Sequence, residues 1–264
     1  MRSQSAVARI ASHDRAVIGA CVFLISALAW AYLFHLEWQM ASPARDTMMA
    51  KMGMPIDAAW GGPDFFITFS MWAVMMIGMM LPTMAPVLVL FAGIHAGRSG
   101  NPNAPVSVTV LLFALGYFAV WLAFSAGATL AQWILHEGAW LSSGMAAATP
   151  VLAGAILIAA GGYQLTPAKR ACLTRCQSPL GFLVSNWREG AKGALEMGAR
   201  HAKYCVGCCW ALMCLLFAVG VMNLAWVAAL TVFILIEKFG RTGAGVARAG
   251  GALMIALGVL VATR

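Results

Sequence analysis

The sequence predicts an all-α, polytopic transmembrane helix bundle of about seven spans, and three observations carry that expectation. Charged residues make up 10% of the chain's 264 residues, against about 25% in a soluble domain. Hydrophobic residues make up 62%, and mean hydropathy is +0.83. The apolar runs are continuous rather than alternating, which fits spanning helices and not the strands of a barrel. A spanning helix takes about 20 mostly apolar residues. Segments of roughly that kind lie at 16–36, 65–93, 106–134, 148–166, 203–221, 223–237 and 245–262, and residues 1–264 read as a single membrane domain without internal repeats.

The first span follows Arg2, Arg9 and Arg15. Ala27-Leu28-Ala29 has the small-residue pattern of a signal cleavage site. The apolar run is longer than the core of a signal peptide, so a retained anchor helix is expected. The second span is rich in methionine and holds Pro82 and Pro86, which should interrupt it and free backbone carbonyls, as at many transport pathways. The third and fourth spans rest on length and composition alone. Residues 167–202 then read as a cytoplasmic loop carrying Cys172 and Cys176. Within it, FLVSNWREGAKGALEMGA (182–199), with Trp187, reads as one short interfacial amphipathic helix where a soluble partner could dock. The fifth span opens in HAKYCVGCCWALMC (201–214). The sixth is short, and its end at Glu237-Lys238 is expected at the inner interface, as an ion pair or an anchor. The seventh closes the chain.

Basic residues set the orientation, because they collect in cytoplasmic loops. With the N-terminus inside, Arg98, Lys238, Arg241, Arg248 and all seven basic residues of 167–203 fall inside, while Arg45, Lys51 and Arg264 fall outside. The expectation is N-in, C-out. The net charge of +8 is then a topology signal and not a sign of nucleic-acid binding. A multi-pass integral membrane protein follows, with the lipid bilayer as its first partner and a homo-oligomer open.

Two sulfur-rich patterns carry the chemistry. His201, Cys205 and Cys208 follow i, i+4, i+7 spacing and share a helical face, with Cys209 at its edge. Cytoplasmic thiols stay reduced, so these read as metal ligands or as inert packing rather than disulfides. Cys172 and Cys176 could join them if the loop folds back. A Cys3His set suits zinc as well as copper. The second pattern is FSMWAVMMIGMMLPTMAP (69–86), with Met71, Met75 and Met79 on one row and Met76, Met80 and Met84 on another. MASPARDTMMAKMGMP (40–55) precedes it, so eleven of the chain's 17 methionines fall between 40 and 84. Methionine is a common gap filler in helix packing, but the run at 40–55 has polar surroundings and is hard to explain as core. Thioethers bind Cu(I) and bind zinc poorly. The layout suggests a graded relay, with thioethers toward the outside and thiols with an imidazole toward the inside.

The stretches MWAVMMIGMMLPTMAP (71–86), YQLTPAKRACLTRCQSP (163–179) and the segment from Trp187 through Ile236-Glu237-Lys238 resemble the DUF2182 group. These are bacterial metal-binding integral membrane proteins that include a tyrosinase-associated copper chaperone. The resemblance spans roughly 65–240 and implies metal binding, copper above other metals. Ala202 stands where glycine usually follows the histidine, and Gln177 where arginine often follows the second loop cysteine. Neither change removes a candidate ligand.

The leading expectation is a copper chaperone or transporter without catalytic turnover of its own. It would hold Cu(I) among Met71, Met75, Met79, Met80, Cys172, Cys176, His201, Cys205, Cys208 and Cys209, and would supply a copper-dependent enzyme or a soluble copper carrier. One alternative is a membrane thiol oxidoreductase, from the Cys205-x2-Cys208 spacing. Another is a metal-containing subunit of a larger enzyme complex, with zinc as its metal. No serine–histidine–acid set or phosphate-binding loop is present, which disfavours a hydrolase or an ATP-driven pump.

Overall fold

The structure, a computed structural model, describes the backbone of residues 2–41, 61–98, 106–140, 147–240 and 242–264, and side chains within 15–39, 61–98, 108–140, 147–240 and 242–264. The methionine run expected at 40–55 lies outside the described side chains. Among the described residues there are nine helices: α1 (Arg2–Ala41), α2 (Gly62–Arg98), α3 (Val106–Glu137), α4 (Pro150–Leu165), α5 (Pro167–Gln177), α6 (Pro179–Asn186), α7 (Gly190–Val219), α8 (Leu224–Phe239) and α9 (Gly243–Ala262).

Five of these, α1, α2, α3, α7 and α9, are long and apolar enough to cross a membrane, and α4 with α5 makes a sixth if that bent pair is one span. The seven segments of the sequence therefore become five or six. The remaining one, α8, has 16 residues, about 24 Å of helix at 1.5 Å per residue, against a hydrocarbon core of about 30 Å.

The segment expected as a loop is helical because two proline dipeptides turn it. Thr166 and Ser178 each precede a proline, which disfavours helical backbone at the residue before it and starts a new helix at its own position. Thr166 closes α4 and opens α5: its Oγ1 donates to the Tyr163 carbonyl (2.7 Å) and accepts from Lys169 N (3.2 Å). The axes of α4 and α5 differ by 65°. The amphipathic stretch 182–199 is likewise not one separate helix. The break falls between Asn186 and Gly190, and the rest forms the first turns of α7. Nor does α2 break at Pro82 and Pro86. Residues on both sides of the prolines, from Met71 to Phe91, are buried against neighbours, and Thr83 Oγ1 donates to the Met80 carbonyl at 2.8 Å.

The two most buried of the long helices are α2 and α7, and they carry most of the core: Trp72, Met75, Met76, Met79, Met80 and Met84 on one, Cys205, Cys208, Cys209, Leu212, Met213 and Leu216 on the other. The helix α1 packs on α2, α3 packs on both α2 and α7, and α9 packs on α4; all three leave apolar side chains exposed, among them Phe23, Leu111 and Leu253. Glycines set close approaches at two helix–helix contacts. A Cβ on Gly198 of α7 would lie 1.9 Å from the Phe113 carbonyl oxygen of α3, and one on Gly116 would lie 2.0 Å from that of Leu195. The second contact is α4 against α9, where Gly154 faces Gly258 and Gly161 faces Gly251. Small residues that let backbones touch are the usual currency of helix association in lipid.

Gly198→Ala should therefore force α3 and α7 apart and destabilise the fold by about 1–3 kcal/mol or more, as overpacking does. Gly127→Ala on α3, where nothing lies within 4 Å, should be neutral or stabilising by up to about 1 kcal/mol. Thermal unfolding in detergent compares the two.

Candidate metal centre

The face shared by His201, Cys205 and Cys208 points inward, and all three side chains are buried. What they meet comes from five other helices. Cys205 Sγ lies 3.9 Å from Met80 Sδ of α2, 2.9 Å from Tyr117 Oη of α3 and 2.9 Å from Lys238 Nζ of α8. Cys208 Sγ lies 3.9 Å from Cys176 Sγ of α5. The Cys208 and Cys209 thiols both donate to the Cys205 carbonyl, at 3.1 and 2.9 Å. Cys176, Cys205, Cys208 and Cys209 thus form one interacting group of side chains. All seven cysteines of the chain are free.

The spacing has a coordination meaning. Three sulfurs held about 2.3 Å from a common ion stand about 4 Å apart when the ion lies in their plane. Both sulfur pairs, Met80–Cys205 and Cys176–Cys208, have a separation of 3.9 Å. Among the described residues no three His, Cys, Asp or Glu side chains converge as a ready metal-binding group. The arrangement is two sulfur pairs side by side.

The other expected ligands divide. Met71, Met75 and Met79 are buried core residues, and it is Met80, from the neighbouring row, that touches Cys205. Cys172 packs its Sγ on α7 where Gly207 leaves room; a Cβ there would sit 2.7 Å from that sulfur. The His201 ring lies among Phe113, Tyr117 and Phe182, with centroids 6.4, 5.9 and 4.9 Å away, and its Nδ1 is buried without a hydrogen-bond partner. Thioether and thiols meet halfway along α2 and α7, where Met80 and the cysteines form one junction.

Sequence reasoning missed three residues of this junction: Lys238, Tyr117 and Thr83. Lys238 had a usable signal, since ionisable groups within spanning helices are expensive and commonly functional. The expectation for Glu237-Lys238 is an ion pair or an anchor, and the Lys238 side chain is instead 6% exposed and turned onto sulfur. Its Nζ reaches Cys205 Sγ, Thr83 Oγ1 at 3.2 Å and Met80 Sδ at 3.9 Å. Glu237 does not pair with it. The Glu237 carboxylate binds Lys169 Nζ of α5 at 2.7 Å, with both side chains at most 1% exposed, and accepts from Gln164 Nε2 at 2.9 Å. Gln177 Nε2 donates to the Glu237 carbonyl at 2.7 Å. This network holds α5, and therefore Cys176, against α8.

A family model described as PpoB2, copper chaperone, matches residues 69–261. The match covers every candidate ligand from Met71 to Cys209 and stops short of α1 and the run at 40–55. No curated protein and no solved structure matches the chain.

Glu237→Gln should leave Lys169 buried without a counter-charge and cost about 3–5 kcal/mol. The double change Lys169→Met with Glu237→Leu should recover much of that loss, because it removes both charges. Denaturation midpoints of the single and double variants check the coupling.

Proposed function

The chain belongs to the PpoB2 copper chaperone family, and from that premise we propose that it carries Cu(I) at the junction of Met80, Cys176, Cys205 and Cys208. It receives the ion as cargo and passes it to a copper-dependent enzyme or a soluble copper carrier. It works as a multi-pass protein of the bacterial cytoplasmic membrane, and it performs no catalytic turnover of its own. The five long apolar helices support the membrane setting. The distribution of basic residues supports an N-terminus inside.

The observation that carries the reading is the meeting of a thioether from α2, a thiol from α5 and three thiols from α7 in a buried place. Soft donors of this kind select Cu(I), and a thioether among them weighs against zinc. Structural zinc sites close with four converging N and S ligands, whereas the sulfurs here stand in pairs. A cargo site needs to hold its ion and also release it, and few ligands per ion suit that. Tyr117 Oη and Lys238 Nζ flank Cys205 Sγ, each at 2.9 Å. Cys209 lies within the same group of thiols and His201 one turn below it, both placed as auxiliary donors.

The Cys176–Cys208 pair also supports a second reading, a membrane thiol oxidoreductase. The two Sγ atoms are 3.9 Å apart, and a disulfide would bring them to about 2.05 Å.

The two readings predict different contents. Protein purified anaerobically in detergent, after growth with both copper and zinc, should carry about one or more copper per chain by mass spectrometry. The Cys205→Ser/Cys208→Ser variant should lose it while still inserting. Unchanged copper in that variant would sink the reading. No metal, with Cys176 and Cys208 cross-linked, would turn the assignment to the oxidoreductase. Met80→Leu keeps the volume, loses the thioether and should weaken Cu(I) binding by about tenfold, or about 1.4 kcal/mol.

A further inference from the structure

We propose that Lys238 makes the sulfur junction selective for monovalent over divalent soft ions. This rests on the junction being the cargo site and adds what decides which ion it takes.

The argument starts from position. Lys238 Nζ is 2.9 Å from Cys205 Sγ and 3.9 Å from Met80 Sδ, and those two sulfurs are 3.9 Å apart. The ammonium stands at the third corner of a triangle whose other corners are candidate ligands. Thr83 Oγ1 accepts from it at 3.2 Å. A protonated amine has no lone pair and cannot itself ligate. It is a fixed positive charge beside the place an ion would enter.

Among the described residues, no carboxylate answers that charge. Glu237, the adjacent residue, is turned onto Lys169 and Gln164. The titratable groups that interact with Lys238 from the helices packed around it are Cys205, Cys208, Cys209, Tyr117 and His201. Its counter-charge has to be sulfur. Count the charges of a loaded site with two thiolates: the ammonium and a monovalent ion sum with them to zero. A divalent ion leaves one positive charge over, in an interior where unpaired charge is costly. The repulsion between ion and ammonium also doubles. A third thiolate would have to form to admit zinc or cadmium.

The test uses the full chain in detergent under anaerobic conditions, with Ag(I) standing for Cu(I) and Cd(II) as a soft divalent probe. Bound metal is read by mass spectrometry and by sulfur-to-metal absorption in direct competition. Wild type should hold Ag(I) against an equal concentration of Cd(II). In Lys238→Leu the Cd(II) to Ag(I) affinity ratio should rise at least tenfold, and Lys238→Arg should keep the wild-type ratio. Lys238→Gln reads the same way should the leucine variant not fold. A Cd(II) to Ag(I) ratio within about twofold of wild type in the neutral variants, with Ag(I) still bound, would overturn the selectivity role alone. Loss of Ag(I) from the neutral variants would overturn it too, by making Lys238 a support of binding rather than a selector. Wild type that fails to bind Ag(I), or whose Ag(I) survives Cys205→Ser/Cys208→Ser, would overturn the cargo reading beneath it.

Discussion

Positions 237 and 238 place a carboxylate and an ammonium on adjacent residues of one short helix, and both are buried. Consecutive helical residues point about 100° apart, so the two cannot serve each other, and each draws in a different part of the chain. Glu237 takes Lys169 from α5. Lys238 takes Cys205 from α7, with Thr83 and Met80 from α2. Leaving either unpaired would cost several kcal/mol in a low-dielectric interior. These two residues therefore fix how α2, α5, α7 and α8 meet, and the sulfur junction is the place where they do.

That constraint explains why the Cys172 and Cys176 segment does not hang as a loop. The bend at Thr166-Pro167 sends α5 back along α7 and α8, and the Lys169–Glu237 pair holds it there. Cys176 comes two turns after Lys169 on the same helix, so anchoring the lysine delivers the thiol to Cys208. Gly207 serves the same end from α7, where the absence of a Cβ leaves room for the Cys172 sulfur in its present position. Tyr163, just before the bend, donates its hydroxyl to the Gly207 carbonyl. The polar contacts around α5 are local in effect and long-range in sequence, with Gln164, Lys169 and Gln177 all meeting residue 237.

The parts of this arrangement that were legible in the sequence are those governed by periodicity. Helical class, most long apolar elements, the His201-Cys205-Cys208 face and the two methionine rows all follow from 3.6-residue spacing. Periodicity could not say which methionine row faces the cysteines, because both rows are buried on a helix covered almost all round. It could not show that α2 runs through Pro82 and Pro86, since packing against neighbours overrides a local breaker. Lys238 hides its role for a related reason. A basic residue at the end of an apolar run looks like an interfacial anchor, and its sulfur partner lies 33 positions away. Tyr117 carried no signal at all: it sits in an apolar run, and its bond to Cys205 spans 88 positions.

Residue types alone leave copper and zinc close to parity, because His201 with three cysteines is an acceptable zinc set. Placement shifts the balance. The His201 imidazole packs among three aromatic rings, while a thioether takes a position beside Cys205. Exchanging a borderline nitrogen donor for a soft sulfur moves a site along the scale that separates zinc from Cu(I). The presence of Lys238 pushes the same way, since each unit of positive charge already in the junction must be subtracted from what an incoming ion can bring. Donor softness and charge balance are independent arguments. One concerns the sulfur of Met80 and the other the nitrogen of Lys238, and both point to a soft ion of charge one.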